Sequence, residues 1–177
     1  PMDFKPHSGK KVWWKCDKAD DHEWIAKIED RSKGHGCTIC SGHKVVLSNC
    51  LSTLNPDLAK EWHPTKNGNL TAFDVTSGSG KKVWWKCDKA GDHVWISPIG
   101  DRNNGRGCAM CSGRQVVLSN CLSTIDPNLA KEWHPTKNGN LTPFDITLNS
   151  SKKIWWKCDK GEDHEWITSA NGRLNRG

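Results

Sequence analysis

Lys81-Lys82-Val83-Trp84-Trp85-Lys86-Cys87, then His93-Val94-Trp95, then Gly107-Cys108-Ala109-Met110-Cys111: this stretch decides how the chain is read. Its polar anchors follow the spacing Cys-x5-His-x14-Cys-x2-Cys. Three thiols and an imidazole form one of the standard tetrahedral donor sets for zinc. A Cys-x-x-Cys knuckle turns two sulfurs inward, and the hairpin turn between Cys87 and His93 supplies the other pair. Four protein ligands close the coordination shell, so the pattern predicts a structural ion with no position for a reactive water. A disulfide framework leaves the recurring histidine unexplained. No βαβ pattern surrounds the Cys-x-x-Cys as a redox motif requires, and iron–sulfur clusters favour all-cysteine sets.

The pattern recurs. Cys16, Cys87 and Cys158 are 71 residues apart, as are His22, His93 and His164. Aligning residues 10–71 with 81–142 gives 47 identities in 62 positions, which marks duplication. The chain therefore divides into repeat one over 1–71, repeat two over 72–142 and an incomplete third repeat over 143–177, and it reads as part of a longer array. The expected ligands are Cys16, His22, Cys37 and Cys40 in repeat one and Cys87, His93, Cys108 and Cys111 in repeat two. Cys158 and His164 make a half site. The composition agrees, with 9 Cys and 11 Trp but 3 Phe, no Tyr and only 34% hydrophobic residues. So little aliphatic material favours small metal-held units over one large core.

Within a repeat, Val12, Trp14 and Cys16 alternate with Trp13 and Lys15, predicting a strand, with residues 22–28 as its hairpin partner. Residues 48–54 predict a short helix. Asn55-Pro56 reads as an N-cap with proline at the first helical position, opening a helix through Trp62. Leu51, Leu54, Leu58 and Trp62 are expected to form its apolar stripe. Ser77-Gly78-Ser79-Gly80 reads as a flexible link. Cys50 and Cys121 read as small buried hydrophobes, and His63 and His134 as structural groups. The expected class is a small metal-stabilised α+β fold of tandem zinc-ribbon-like units.

Leu58-Ala59-Lys60-Glu61-Trp62-His63-Pro64-Thr65-Lys66-Asn67-Gly68, followed by the hairpin and knuckle motifs quoted above, resembles a family of bacterial treble clef zinc finger repeats, also described as zinc-ribbon repeats. The resemblance covers nearly the whole chain. It implies metal ligands at Cys87, His93, Cys108 and Cys111 and at the matching positions of repeat one. Members are often tandem and sometimes joined to a nuclease-like domain, which implies DNA handling. No nuclease-like segment is present in this sequence, and the turn before the histidine is longer than the common form.

The net charge is +6, and mean hydropathy is −0.75. Two zinc ions, each bound by three thiolates, take the charge to about +4. The cationic candidates for contact with nucleic acid, DNA before RNA, are Lys10, Lys11, Lys15, Arg31 and Lys33 in repeat one. In repeat two they are Lys81, Lys82, Lys86, Arg102, Arg106 and Arg114. Lysine neutralises phosphate and an exposed tryptophan can stack on a base. The alternative is a protein-interaction or spacer array with structural zinc. No Gly-rich phosphate loop and no Ser/His/Asp set is present, so neither an enzyme nor a small-molecule substrate is expected within these residues. Asp74 and Asp145 recur, read as linker residues without partners. No membrane-spanning run occurs, and reduced thiols with a polar start predict a cytoplasmic location.

Overall fold

The computed structural model describes residues 5–174; residues 1–4 and 175–177, the outer ends of the first and third repeats, lie outside the described residues. Repeat one contains strands β1 (Lys11–Lys15) and β2 (Glu23–Lys27), then a one-turn helix α1 (Ile28–Ser32). A 3-10 turn over Leu47–Asn49 leads to helices α2 (Leu51–Leu54) and α3 (Pro56–Lys60). The same elements return as β3 (Lys82–Lys86), β4 (Val94–Pro98), α4 (Ile99–Asn103), a turn at Leu118–Asn120, α5 (Leu122–Ile125) and α6 (Pro127–Lys131). A third hairpin, β5 (Lys153–Lys157) and β6 (Glu165–Ser169), ends in α7 (Ala170–Leu174). The strands pair only within their own two-stranded sheets among the described residues.

The β1–β2 register pairs Trp14 with Trp24 and Trp13 with Ile25. Period-two alternation therefore puts Trp14 and Trp24 on one face and Trp13 and Ile25 on the other. Trp24 is buried with Cys37 and Ile39 against Trp14, Cys16, Ala26 and Val46. Trp13 and Ile25 are exposed. The hairpin is shorter than the sequence suggests, because Ile28 turns inward and starts α1. Gly34 and Gly105, at φ 89, end the turn that follows α1 and α4, a conformation open to glycine.

Asn55 caps α3 by accepting the Leu58 N–H at 3.1 Å, with Pro56 at the first position. Asp126 does the same for Leu129 at 2.9 Å. Two expectations fail here. The predicted stripe loses Leu54, which is exposed, while Leu51 and Leu58 are buried, because α2 ends at Leu54 and Asn55 redirects the chain. The Ser-Gly-Ser-Gly segment is held, not free: Ser79 accepts the Gly100 N–H at 2.8 Å and its own N–H donates to Thr76 O. Asp74 and Asp145 also have partners, each accepting from the N–H and hydroxyl of Thr71 or Thr142.

The chain divides into two compact units, Pro1–Lys86 with Ile96–Arg106, and Cys87–Trp95 with Gly107–Gly177. In the first, the segment after α3 docks on β3. Trp62 meets Trp85 edge-on at 5.5 Å between ring centroids. Glu61 O accepts the Lys86 N–H at 2.7 Å, and the His63 N–H donates to Trp84 O. In the second, α5 and α6 pack on the third hairpin around Leu122, Leu129, Ile146, Ile154, Trp156 and Ala170. Trp133 meets Trp156 at 5.8 Å there. Within each unit, then, the helical half of one repeat supplies the core for the hairpin of the next.

Candidate metal centres

The first knuckle is the turn between β1 and β2. His22 N–H donates to Ala19 O, and Cys16 N–H to His22 O, both near 3 Å. These bonds point Cys16 Sγ and the His22 ring to the same side. The second knuckle follows α1. The Cys40 N–H points at Cys37 Sγ at 3.5 Å, and the Cys111 N–H at Cys108 Sγ at 3.4 Å. Asn49 fixes that knuckle from behind, donating to Ile39 O and Lys44 O while accepting the Val46 N–H. Asn120 repeats the arrangement at Met110, Gln115 and Val117.

The two knuckles bring Cys16, His22, Cys37 and Cys40 together, and likewise Cys87, His93, Cys108 and Cys111, each set with its ligand atoms within 4.8 Å of one another. All nine cysteines are free thiols. The distances fit a tetrahedral ion. Zinc–sulfur bonds of about 2.3 Å put two sulfurs about 3.8 Å apart, and a nitrogen and a sulfur about 3.6 Å apart. Cys16 and Cys40 sulfurs are separated by 3.7 Å, as are those of Cys87 and Cys111. His22 Nδ1 lies 3.8 Å from Cys37 Sγ and 3.3 Å from Cys40 Sγ. His93 Nδ1 lies 3.6 and 3.4 Å from its sulfurs.

The thiol chemistry points the same way. Burial pushes the Cys37 thiol up, but the Cys40 and Ile39 N–H groups and the neighbouring thiols outweigh it, and the net shift is downward. Cys40 Sγ faces the other ligand atoms although the residue is exposed. Desolvation and the sulfurs of Cys16 and Cys37 push it up to about 11. Cys111 is pushed up to about 12 by the same causes, with Cys87 and Cys108 as neighbours. Three thiols this close cannot all ionise without a cation, and a dication removes that conflict.

Behind the histidine stands a layer not foreseen in the sequence. Nδ1 faces the sulfurs, and Nε2 lies 3.1 Å from Ser48 Oγ, whose own proton goes to Asp21, so Nε2 is the donor of this pair. Ser48 Oγ in turn donates to Asp21 Oδ1 at 2.6 Å, and its N–H to Oδ2 at 2.9 Å. These two bonds hold the Asp21 carboxyl below its ordinary value. Ser119 grips Asp92 with the same two bonds in repeat two. The signal was available: Asp-His recurs at 21–22, 92–93 and 163–164, and Leu-Ser-Asn-Cys at 47–50 and 118–121.

At the third position Cys158 Sγ lies 3.4 Å from His164 Nδ1, but no cluster of three or more ligands forms there among the described residues. His164 is exposed whereas His22 and His93 are buried. Cys50 and Cys121 are fully buried away from the metal clusters, each Sγ donating to a backbone carbonyl at 3.3 Å. His63 and His134 accept backbone N–H groups of their own loops through Nδ1.

Of the cationic candidates, Lys10, Lys11, Lys15, Lys33, Lys81, Lys82, Lys86, Arg106 and Arg114 are exposed. Lys15 lies near Asp20 and Glu23, and Arg106 pairs with Asp101 at 2.9 Å. Arg102 is a correction. It is buried beneath Trp85 and ion-paired with Glu61, so its charge is spent inside the fold. Arg31, its counterpart, is half-buried against Trp14 and Trp24.

No helix among the described residues is long and apolar enough to cross a membrane. No curated protein matches the chain. One family model matches three segments, residues 1–43, 58–114 and 129–177, and its middle segment starts in α3 and ends just after the second knuckle of repeat two. That span runs from a helix of one repeat to the knuckles of the next, as the packing does. The chain belongs to the family described as a probable treble clef zinc finger domain, present here as a tandem repeat.

Proposed function

We propose that the two clusters hold zinc as a structural ion and that the repeats bind nucleic acid, duplex DNA before RNA. Cys16, His22, Cys37 and Cys40 would hold one ion, and Cys87, His93, Cys108 and Cys111 the other. Zinc supplies a fixed tetrahedral cross-link between hairpin and knuckle, and with four protein ligands its role is folding, not catalysis. Cys158 and His164 alone bind it weakly. The thiols require a reducing compartment such as the cytoplasm.

The observation that carries the nucleic-acid reading is the repeated lysine set on the hairpins. Lys10, Lys11, Lys15 and Lys18 recur as Lys81, Lys82, Lys86 and Lys89, and all eight side chains are exposed. Repeat two is the stronger contact. Val94 replaces Glu23, so Lys86 lacks the carboxylate that faces Lys15. His35 and His43 become Arg106 and Arg114.

The test is anisotropy of labelled duplex DNA, single-stranded DNA and RNA with the zinc-loaded chain across a salt series. Binding should fall linearly in log salt, and Lys82→Ala with Lys86→Ala should lower the slope by about 2. A folded, metal-loaded chain that binds none of the three at low salt would refute the reading and leave a protein partner as the alternative.

A further inference from the structure

The three hairpins have nearly the same sequence, but they are not equally covered. Trp85 and Trp156 are 0% exposed, and Val83 and Ile154 are 3% and 1% exposed. Their counterparts Trp14 and Val12 are only half-buried, and Trp13 is 68% exposed.

The cover is the same device twice. In the first unit, the Asn67 carboxamide accepts the Trp84 N–H at 2.8 Å and donates to Trp84 O at 2.9 Å, pairing with the edge strand as a neighbouring strand would. Lys66 Nζ sits 4.4 Å over the Trp84 ring. Trp62 packs on Trp85, and Glu61 neutralises buried Arg102. In the second unit Asn138, Lys137, Trp133 and Glu132 make the same four contacts with Trp155, Trp156 and Arg173. The β1 hairpin carries every receiving group. Trp13 and Trp14 stand where Trp84 and Trp85 do, and Arg31 where Arg102 does. Arg102 and Arg173 each meet a carboxylate, whereas none meets Arg31 among the described residues.

From this we infer that the outer edge of the first hairpin, at β1, with Val12, Trp13, Trp14 and Arg31, is a docking site for a further Glu-Trp-His-Pro-x-Lys-Asn-Gly segment, the helical segment of another repeat. The occupant is set by the receiving chemistry. Arg31 takes a carboxylate, Trp14 an indole edge, the Trp13 backbone a carboxamide, and the Trp13 ring an ammonium group. The chain's own two segments are engaged on β3 and β5, so the occupant is a segment beyond these two.

The test has two arms on the zinc-loaded chain. A fluorescein-labelled peptide of residues 55–71 should bind saturably at one site. The peptide change Trp62→Ala and the chain change Arg31→Met should each weaken it at least about tenfold, while Arg102→Met should not. In the second arm, residues 55–71 are joined directly ahead of Pro1, which preserves the 71-residue register and raises the effective concentration to about millimolar. The amides of residues 11–15 should then gain hydrogen-exchange protection comparable to residues 82–86. Unchanged protection in the joined chain overturns the inference, as does peptide binding indifferent to Trp62→Ala and Arg31→Met.

Discussion

Replacing Ser48 with alanine should weaken metal binding at the first cluster while leaving the second as an internal control. The serine is not one of the clustered ligand residues. It accepts the His22 Nε2 proton at 3.1 Å and ties that ring to Asp21 through a 2.6 Å bond. His22 is 6% exposed, so Ser48→Ala leaves a buried N–H without its acceptor, a loss of about 1–3 kcal/mol. That corresponds to about 5- to 160-fold in affinity, which brackets the roughly 10- to 100-fold found for outer partners of ligating histidines. Stepwise competition with a chromophoric chelator gives both affinities, and cobalt substitution reports whether the Cys3His geometry survives. Ser119→Ala removes the two bonds that hold Asp92 next to His93, so its loss should fall on the second cluster and be smaller. A Ser48→Ala chain that binds its first ion within twofold of the parent would refute the idea that this chain of bonds orients the ligand.

Cys37→Ser should remove one of the two tightly held ions by native mass spectrometry, whereas Cys50→Ser should keep both, since Cys50 Sγ lies outside the ligand clusters and hydrogen-bonds Leu47 O and Thr53 Oγ1 at 3.3 Å; equal loss would mean the ligands are misassigned. Glu61→Gln removes the carboxylate that pairs with Arg102, whose side chain is 5% exposed, and should destabilise the first unit by about 3 kcal/mol in urea unfolding; a change below about 1 kcal/mol contradicts the buried pairing. Glu165 is held down to about 2 by hydrogen bonds from Lys137 and then His134. Its stabilising effect is therefore complete above the ordinary carboxylate value of about 4.3 and is lost as pH falls from there toward about 2. A carboxyl NMR titration with a midpoint near 4.3 would refute that bond network.

Much of the candidate site was legible because metal ligands announce themselves by type and spacing. The knuckle, its N–H···S contacts and the Asn55–Pro56 cap are local, and local chemistry can be read from a few adjacent residues. Ser48 was hidden because its bond to Asp21 closes a gap of 27 residues. Glu61 and Arg102 are 41 residues apart and belong to different repeats, so neither signals the other. Arg102 read as a surface cation because sequence alone did not show α4 folding back under Trp85. Leu54 fitted a helical period, but the period stops where Asn55 breaks the helix.

The clasp between one repeat's Glu-Trp-x-x-x-Lys-Asn segment and the next repeat's hairpin also bears on how such a chain can change length. Glu61 and Glu132 meet equivalent arginines, Arg102 and Arg173, and Trp62 and Trp133 equivalent indoles, Trp85 and Trp156, so the parts are interchangeable between joints. Removing or inserting one full period of 71 residues, wherever the cut falls, rejoins a donor segment to a matching acceptor. Recombination within the gene can therefore lengthen or shorten the array by whole periods without passing through a misfolded intermediate product, whereas a loss that takes one half of a joint leaves the other half unmatched.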